Sequence, residues 1–287
     1  MGTDTFVFCV CGERSAREVE TSLRFLKRFS RADIVVVTAR SAPVGHDQTF
    51  SVDVPAGLDD HQAAILLKTS LPRLVATPGL ACYLDSDQIA VSSDVDEIFC
   101  KFVPPITFAM DHVTLDRFSR TAVRCGCQTG HCDHLRRAIH EKFEVVISDP
   151  NWRHWNGGLF LFSGESGEFA EQWHDYALLA LEDPYWEVRD QGTLTAAAWK
   201  FGLASHPVLP ARFNRIVDRF RHHPEANRPS LPVSRYRIDA DYGFGDCLPP
   251  VFLHFINGGV GARGWKNWDD AEALVAPLAT GRGGGSC

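Results

Sequence analysis

No apolar run in these 287 residues approaches the ~20 that a membrane-spanning helix needs. The run Phe6-Val7-Phe8-Cys9-Val10-Cys11 is too short for the apolar part of a secretory leader, and no basic segment precedes it. The expectation is a chain without a transmembrane segment, in the cytoplasm. Positive charge is also scarce: 29 Lys and Arg against 36 Asp and Glu give a net charge of -7, which disfavours a nucleic-acid binder. The local exception is residues 212–228, with Arg215, Arg219, Arg221, His222 and His223, read as a solvated basic face or as a surface for an anionic substrate. No G-x-G-x-x-G follows the first apolar run, which weakens a dinucleotide reading. Cys11-Gly12-Glu13-Arg14 stands there instead, and Cys11, Gly12 and Arg14 still let backbone approach a nucleotide. No D-x-D follows the first strand, as a phosphatase with an aspartyl nucleophile would require, and there is no internal repeat. The nine cysteines are an odd number, which without a leader implies mostly free thiols in a reducing compartment.

What is present reads as one α/β domain over residues 1–280 with a mobile glycine-rich tail over 281–287. Strand and helix signals alternate through the first hundred residues. A strand over Phe6 to Cys11 precedes a helix capped by Ser15, with Val19, Leu23 and Leu26 on one face. A strand over Asp33 to Thr38 precedes a helix capped by Asp59 or Asp60 that ends near Pro72, and a further strand closes on Asp85. This βαβαβ order predicts a mainly parallel central sheet flanked by helices. Residues 1–110 form the nucleotide-binding half. Residues 111–150 lose clear periodicity and concentrate Cys and His. Residues 151–280 resume with a tight turn at Asn156-Gly157, a strand to Phe162, a helix carrying Phe169, Trp173, Tyr176 and Ala180, and a helix opened by Arg189-Asp190-Gln191. Residues 205–250 read as mostly irregular, followed by a strand at 251–255 and a helix at 269–278.

The most informative stretch is Ala81-Cys82-Tyr83-Leu84-Asp85-Ser86-Asp87. It places two carboxylates, one residue apart, where a buried strand leaves the sheet, and open α/β sheets bind ligands beyond the carboxyl ends of their strands. Paired hard oxygen donors there suit Mg²⁺ or Mn²⁺ shared with substrate phosphates. A solvated acidic turn that also caps a helix starting at Asp94 is the plainer alternative.

Six features in chain order resemble the GT-A-fold glycosyltransferases of family 8, the lipopolysaccharide galactosyltransferase and glycogenin type. They are the first strand, Lys68-Thr69-Ser70-Leu71-Pro72, Tyr83-Leu84-Asp85-Ser86-Asp87, Trp155-Asn156-Gly157-Gly158, Arg189-Asp190-Gln191-Gly192, and His254-Phe255-Ile256-Asn257-Gly258-Gly259 with Lys266-Asn267-Trp268 downstream. The resemblance spans roughly residues 5–270 by motif order. It implies a metal-dependent transferase moving a sugar from a nucleotide-sugar, a UDP-sugar above all, to a glycan, lipid-linked or small-molecule acceptor with retention. It also implies that Asp85, Asp87 and His254 ligate Mn²⁺ or Mg²⁺, and that Lys68 and Lys266 reach the donor. Leu84 and Ser86 would approach ribose and sugar by their backbones. Asn156 and Gly157 would form a turn near both sugars, and Asp190 and Gln191 would lie beside the anomeric carbon. Two departures stand out: the spacing from His254 to Lys266 is longer than the family's, and Asn267 replaces its proline. Two rival readings are a sugar-nucleotide nucleotidyltransferase, for which Gly12-Glu13-Arg14 is a poor signature, and a non-catalytic nucleotide-sugar-binding module, which predicts loss of a metal ligand.

The family pattern does not include Cys125, Cys127, Cys132 and His134. Four soft or borderline ligands within ten residues suffice for a tetrahedral structural Zn²⁺ ordering a loop over the acceptor cleft, although their spacing fits no common zinc finger. Free thiols in a loop are the alternative.

Overall fold

The computed structural model describes residues 3–39, 44–46, 48–128, 130–187, 189–218, 250–256, 260 and 268–275. Strand β1 (Thr5–Cys11) is buried at every position and pairs in parallel with β2 (Asp33–Ala39) on one side and β4 (Ala81–Leu84) on the other. Beyond β2 lies the short parallel strand β3 (Thr49–Ser51). Beyond β4 lies β7 (Arg153–Phe162), which runs antiparallel to it, and then β6 (Ile106–Thr114), antiparallel to β7. The order β3-β2-β1-β4-β7-β6 therefore contains one reversed strand, and the mainly parallel sheet read from the sequence is present.

The continuous apolar runs have a simple cause. Successive side chains leave a strand on opposite faces, and both faces of this sheet are covered. Val7, Cys9 and Cys11 of β1 and Tyr83 of β4 face one core, which includes Leu67 and Leu71 of helix α2 (Asp60–Leu74). Phe6, Phe8, Val10 and Leu84 face the other, built against Val19, Leu23 and Leu26 of helix α1 (Gly12–Phe29). Phe169, Trp173 and Tyr176 of helix α5 (Gly167–Leu181) and Leu194 of helix α6 (Arg189–Lys200) join the first core.

Several local expectations change. Ser15 is not the cap of α1, because the helix begins at Gly12. Ser15 Oγ instead donates to the Cys11 carbonyl at 2.7 Å and accepts from Cys11 N at 2.9 Å, closing the first turn. Gly12 has φ +80°, the left-handed conformation that glycine adopts without strain, and this turns the chain from β1 into the helix. Asp59 caps α2 in a reciprocal pair with Gln62, and the helix runs through Pro72 to Leu74. Ser92, not Asp85 or Asp87, caps the 3₁₀ turn at Ser93–Lys101. The Cys- and His-rich stretch contains two helices, α3 (Leu115–Ala122) and α4 (His134–Phe143), whose Leu115, Phe118, Ala122 and Leu135, Ala138, Ile139 are buried at helical spacing. Asn156-Gly157 does not form a turn, since it lies inside β7. Ala109 pairs with Asn156 while Phe108 pairs with Phe160, so Gly157 to Leu159 bulge away from β6.

A second sheet completes the site. Strand β5 (Gln88–Ala90) pairs antiparallel with β9 (Phe252–Ile256), which pairs in parallel with β8 (Arg215–Asp218). Its register sets Gln88 opposite His254. In the basic stretch, Arg212 is buried and pairs with Asp94 and Glu97 rather than forming a solvated face, and Arg215 is also buried. Residues 219–249 lie outside the described residues, as do Lys266, Asn257-Gly258-Gly259 and the tail, while α7 (Trp268–Val275) overlaps the expected last helix and begins one residue before it.

Candidate functional site

Asp85 and Asp87 stand just past the end of β4, and β9 carries His254 to them. His254 Nε2 lies 3.2 Å from Asp87 Oδ1 and 4.0 Å from Asp85 Oδ2. Asp87 Oδ1 is buried and has no hydrogen-bond partner. His254 Nδ1 lies 3.0 Å from Asn214 Oδ1, and an amide oxygen only accepts. Asn214 thus keeps the proton on Nδ1 and turns the lone pair of the neutral ring's Nε2 toward the two carboxylates. Such partners orient and tune metal-binding histidines. Burial pushes the His254 pKa down, but Asp87 and then Asp85 outweigh burial and raise it above the ordinary histidine value.

Asp85 uses its other oxygen differently. Oδ1 accepts from the Tyr83 hydroxyl and pairs with Lys68 Nζ at 2.9 Å. Burial, followed by the charge of Asp85, raises the Tyr83 pKa and keeps the phenol a donor. Lys68 is a buried residue of α2, not a solvent-facing one, and its Nζ also pairs with Asp190 Oδ2 at 2.9 Å and sits 5.2 Å from the centroid of the Tyr83 ring. Burial opposes the lysine's charge, but Asp85 and Asp190 outweigh it and lift the pKa above the usual value. For Asp190 the balance also favours charge: burial raises its pKa, and Lys68 more than reverses this. One ammonium therefore spans the end of β4 and the start of α6.

The glycines of the bulge make room for this arrangement. A Cβ at Gly158 would stand 2.4 Å from His254 Cε1 and 2.8 Å from Asp85 Oδ2, so only glycine fits. Gly157 faces the other way, with its nearest neighbours in Asp190 and Gln191 at 3.6 and 3.8 Å. The backbone also ties the bulge to the acidic loop, with Asp85 N donating to the Gly158 carbonyl at 2.8 Å and Gln88 Nε2 donating to the same oxygen at 2.8 Å.

Behind Asn156 and Gln191 is a residue that the sequence reading missed. Asp111 Oδ2 accepts from Asn156 Nδ2 at 2.8 Å and from Gln191 Nε2 at 3.1 Å. Its Oδ1 faces His112 Nδ1 at 2.9 Å and His154 Nε2 at 3.6 Å. Burial raises the Asp111 pKa, but His154 and His112 outweigh it and hold the carboxyl well below the usual range. Asp111 lies in the second half of β6, and the signal that picked out Asp85, a carboxylate at the far end of an apolar strand, applies to it equally. Asn214 carried no such signal.

A cavity of about 440 Å³ opens over the acidic loop. Cys9, Cys11, Arg14, Lys68, Asp85, Ser86, Asp87 and Asp190 line it, together with Glu18, Asp60 and His61. Most sequence-picked residues thus converge. Gly12 lies behind the lining against Asp60, the Leu84 side chain faces the core, and Ser86 Oγ donates to Glu18 Oε2 at 2.8 Å. Asp85, Asp87 and His254 present one ligand atom each, all within 4.8 Å of one another. The orphaned Asp87 oxygen and this two-oxygen, one-nitrogen set fit a hard or borderline divalent cation.

No family model matches the sequence, and neither does any curated protein. Solved structures do match. A bifunctional glycosyltransferase, WbbM, superposes with a TM-score of 0.63 at 15% identity over 96% of this chain, which spans only 50% of that protein's length. The galactosyltransferase LgtC, solved with donor and acceptor sugar analogues, gives 0.57 at 14% identity over 96% of each chain. Mouse xyloside xylosyltransferase 1 gives 0.52 at 13% identity over 88% of this chain and 97% of that one. The chain therefore has the GT-A glycosyltransferase fold. Among the described residues no helix is long and apolar enough to cross a membrane.

Proposed function

We propose that this chain is a metal-dependent glycosyltransferase that moves a sugar from a UDP-sugar to a glycan, lipid-linked or small-molecule acceptor with retention of configuration. The observation that carries the reading is the convergence of Asp85 Oδ2, Asp87 Oδ1 and His254 Nε2 within 4.8 Å of one another, at the edge of the 440 Å³ cavity. A Mn²⁺ or Mg²⁺ ion held by Asp85, Asp87 and His254 supplies electrostatic stabilisation of the departing diphosphate. Charge balance favours a cation here: Asp85, Asp87 and Asp190 against Lys68 leave an excess of two negative charges when His254 is neutral. Arg14 at the cavity wall pairs with Glu18 at 3.0 Å, so its charge is already balanced there.

The protein's own groups then divide the work. Lys68 fixes Asp85 and Asp190 relative to each other and keeps both ionised. Asp190 thereby holds a carboxylate beside Gly157, where it stabilises an oxocarbenium-like anomeric centre. Gln191 is oriented by Asp111, and Asn156 by Asp111 together with the Gly158 amide. Asn156 on this reading positions the bulge and does not touch the reacting atoms.

Calorimetry with a panel of nucleotide-sugars tests the reading. One UDP-sugar should bind in Mn²⁺, and both EDTA and Asp87→Asn should abolish that binding. The anomeric coupling constant of the product, read by NMR, should show retention. Binding that ignores both metal and Asp87 sinks the proposal.

A further inference from the structure

The connection from α3 into the first residue of α4, His134, has an unusual deficit. Val123 and Leu135 flank it as fully buried side chains, yet none of the described residues between them is buried. Apolar packing does not hold this segment in place. What it has is three sulfurs and one imidazole turned toward one point, with Cys125 Sγ 3.8 Å from Cys132 Sγ and Cys127 Sγ 3.5 Å from His134 Nδ1. All four ligand atoms lie within 4.8 Å of one another.

These separations have a specific meaning. Zinc–sulfur bonds of ~2.3 Å at tetrahedral angles put two sulfurs about 3.8 Å apart, and a zinc–nitrogen bond of ~2.05 Å puts sulfur and nitrogen about 3.5 Å apart. The two observed distances match two of the six edges of that tetrahedron, and the other four are within 4.8 Å. A disulfide would need its sulfurs at about 2.05 Å, and Cys125, Cys127 and Cys132 are all free thiols. Secondary contacts support the sulfur that sits nearest the helix: Cys132 Sγ lies 3.1 Å from Ser119 Oγ and receives the backbone N–H of His134, at the start of α4.

We propose that Cys125, Cys127, Cys132 and His134 bind one structural zinc ion that closes this loop. Three thiolates with one imidazole in a closed tetrahedron select zinc over the hard cation proposed for the carboxylate site. The loop buttresses the segment that leads into α6. Val123 forms a bridge with Trp186, Arg124 N donates to the Tyr185 carbonyl at 2.8 Å, and Glu187 N donates to the Ala122 carbonyl at 2.8 Å. Leu135, next to His134, and Trp186 together press on Gly192, two residues past Asp190. The zinc thus holds the wall behind Asp190 and Gln191. This consequence for catalysis rests on the proposed function, whereas the zinc site itself does not.

The full chain, purified without chelator, should contain one equivalent of zinc by elemental mass spectrometry. After exchange to Co²⁺ it should show tetrahedral d–d bands together with thiolate-to-cobalt charge transfer, the latter of which a carboxylate–histidine site cannot give. Cys127→Ser and Cys132→Ser should lose both signals, while Cys100→Ser, at an exposed thiol, and Asp87→Asn should keep them. Because the cobalt spectrum is read on the wild-type protein, misfolding of a variant does not decide the question. The proposal is overturned if folded wild-type protein supplied with zinc holds none and gives no charge-transfer band, if Cys127→Ser keeps the band, or if peptide mapping of fresh protein finds a Cys125–Cys132 disulfide. Loss of nucleotide-sugar binding with zinc still in place would count against the glycosyltransferase reading alone.

Discussion

Replacing Gly158 with alanine is the sharpest test of the proposed cation site, because the new methyl group aims at two of its three ligands. It would sit 2.4 Å from His254 Cε1, 2.8 Å from Asp85 Oδ2 and 2.9 Å from Asn156 Oδ1. Carbon–carbon contacts are comfortable at about 3.5–4.0 Å, so the imidazole must retreat by roughly 1 Å. It has little room, being 3% exposed and tethered to Asn214. Overpacking of this kind costs about 1–3 kcal/mol, which for a chain of this size lowers Tm by roughly 2–12 °C. The effect on the ion is more specific. Ligand distances tolerate only about ±0.2 Å, so a shift of this size should weaken Mn²⁺ binding by at least the ~10–100-fold seen when ligand-orienting groups are lost. Gly157→Ala is the internal control. Its methyl faces Asp190, Gln191 and Leu194 at ordinary contact distances on the opposite side of β7, so it should keep Mn²⁺ affinity and change stability by no more than about 0.5 kcal/mol. Manganese EPR titration of both variants, with thermal melts followed by circular dichroism, reads the two effects separately. Wild-type Mn²⁺ affinity in Gly158→Ala, alongside the expected fall in Tm, would show that Asp85 and His254 do not share an ion.

Two further outcomes follow from the buried charges. Lys68→Met leaves Asp85 and Asp190 without their common cation, and breaking a buried pair costs about 3–5 kcal/mol. Urea denaturation should show this loss, and Mn²⁺ should recover part of it by compensating Asp85. Asp111→Asn should cost about 1–3 kcal/mol near neutral pH, because Asn156, Gln191 and two histidines lose their charged acceptor. The folded-state pKa of Asp111 is depressed, so its contribution is fully present above the unfolded value of ~3.9 and fades as pH falls below it. The stability gap between wild type and Asp111→Asn should therefore narrow below about pH 4, and a gap that stays constant with pH would contradict this account.

The order of strands and helices was legible because both faces of the sheet are buried, which makes β1 and β4 continuous apolar runs ending at the cavity. The carboxylate pair was legible for the same reason. Local pattern does not carry long-range convergence: only the family resemblance linked His254 to Asp85 and Asp87. Nothing local to Lys68 announces that it will be buried between Asp85 and Asp190, since a lysine in mid-helix is ordinarily exposed and only tertiary packing against Tyr83 reverses this. The Asn156-Gly157 dipeptide has the chemistry of a turn, but pairing of β7 with β4 on one side and β6 on the other keeps it in a strand and expresses its flexibility as a bulge. In the stretch after β6, the abundance of Cys and His obscured two short helices whose apolar spacing is nonetheless regular.

Cysteine chemistry bears on how one chain would keep the two proposed metal sites distinct. Cys9 lines the cavity close to Lys68 and Asp85, so as a thiolate it would offer a soft ligand beside the site proposed for a hard cation. Burial, followed by the neighbouring Cys11, raises its pKa well above the ordinary thiol value, and Lys68 does not reverse this. Cys82, beneath the acidic loop, is raised by burial as well. A protonated thiol packs as a small apolar group and is a poor ligand. The three cysteines of the loop are instead half-buried, and Cys132 is drawn down to about 7 despite some burial, by the hydroxyl of Ser119 and the amide of His134. Within the loop Cys132 is thus the thiol most readily ionised, while burial and the neighbouring Cys132 push Cys127 up. On the two proposals, stripping zinc from the cysteines and removing manganese from the carboxylates should be separable perturbations of the same protein.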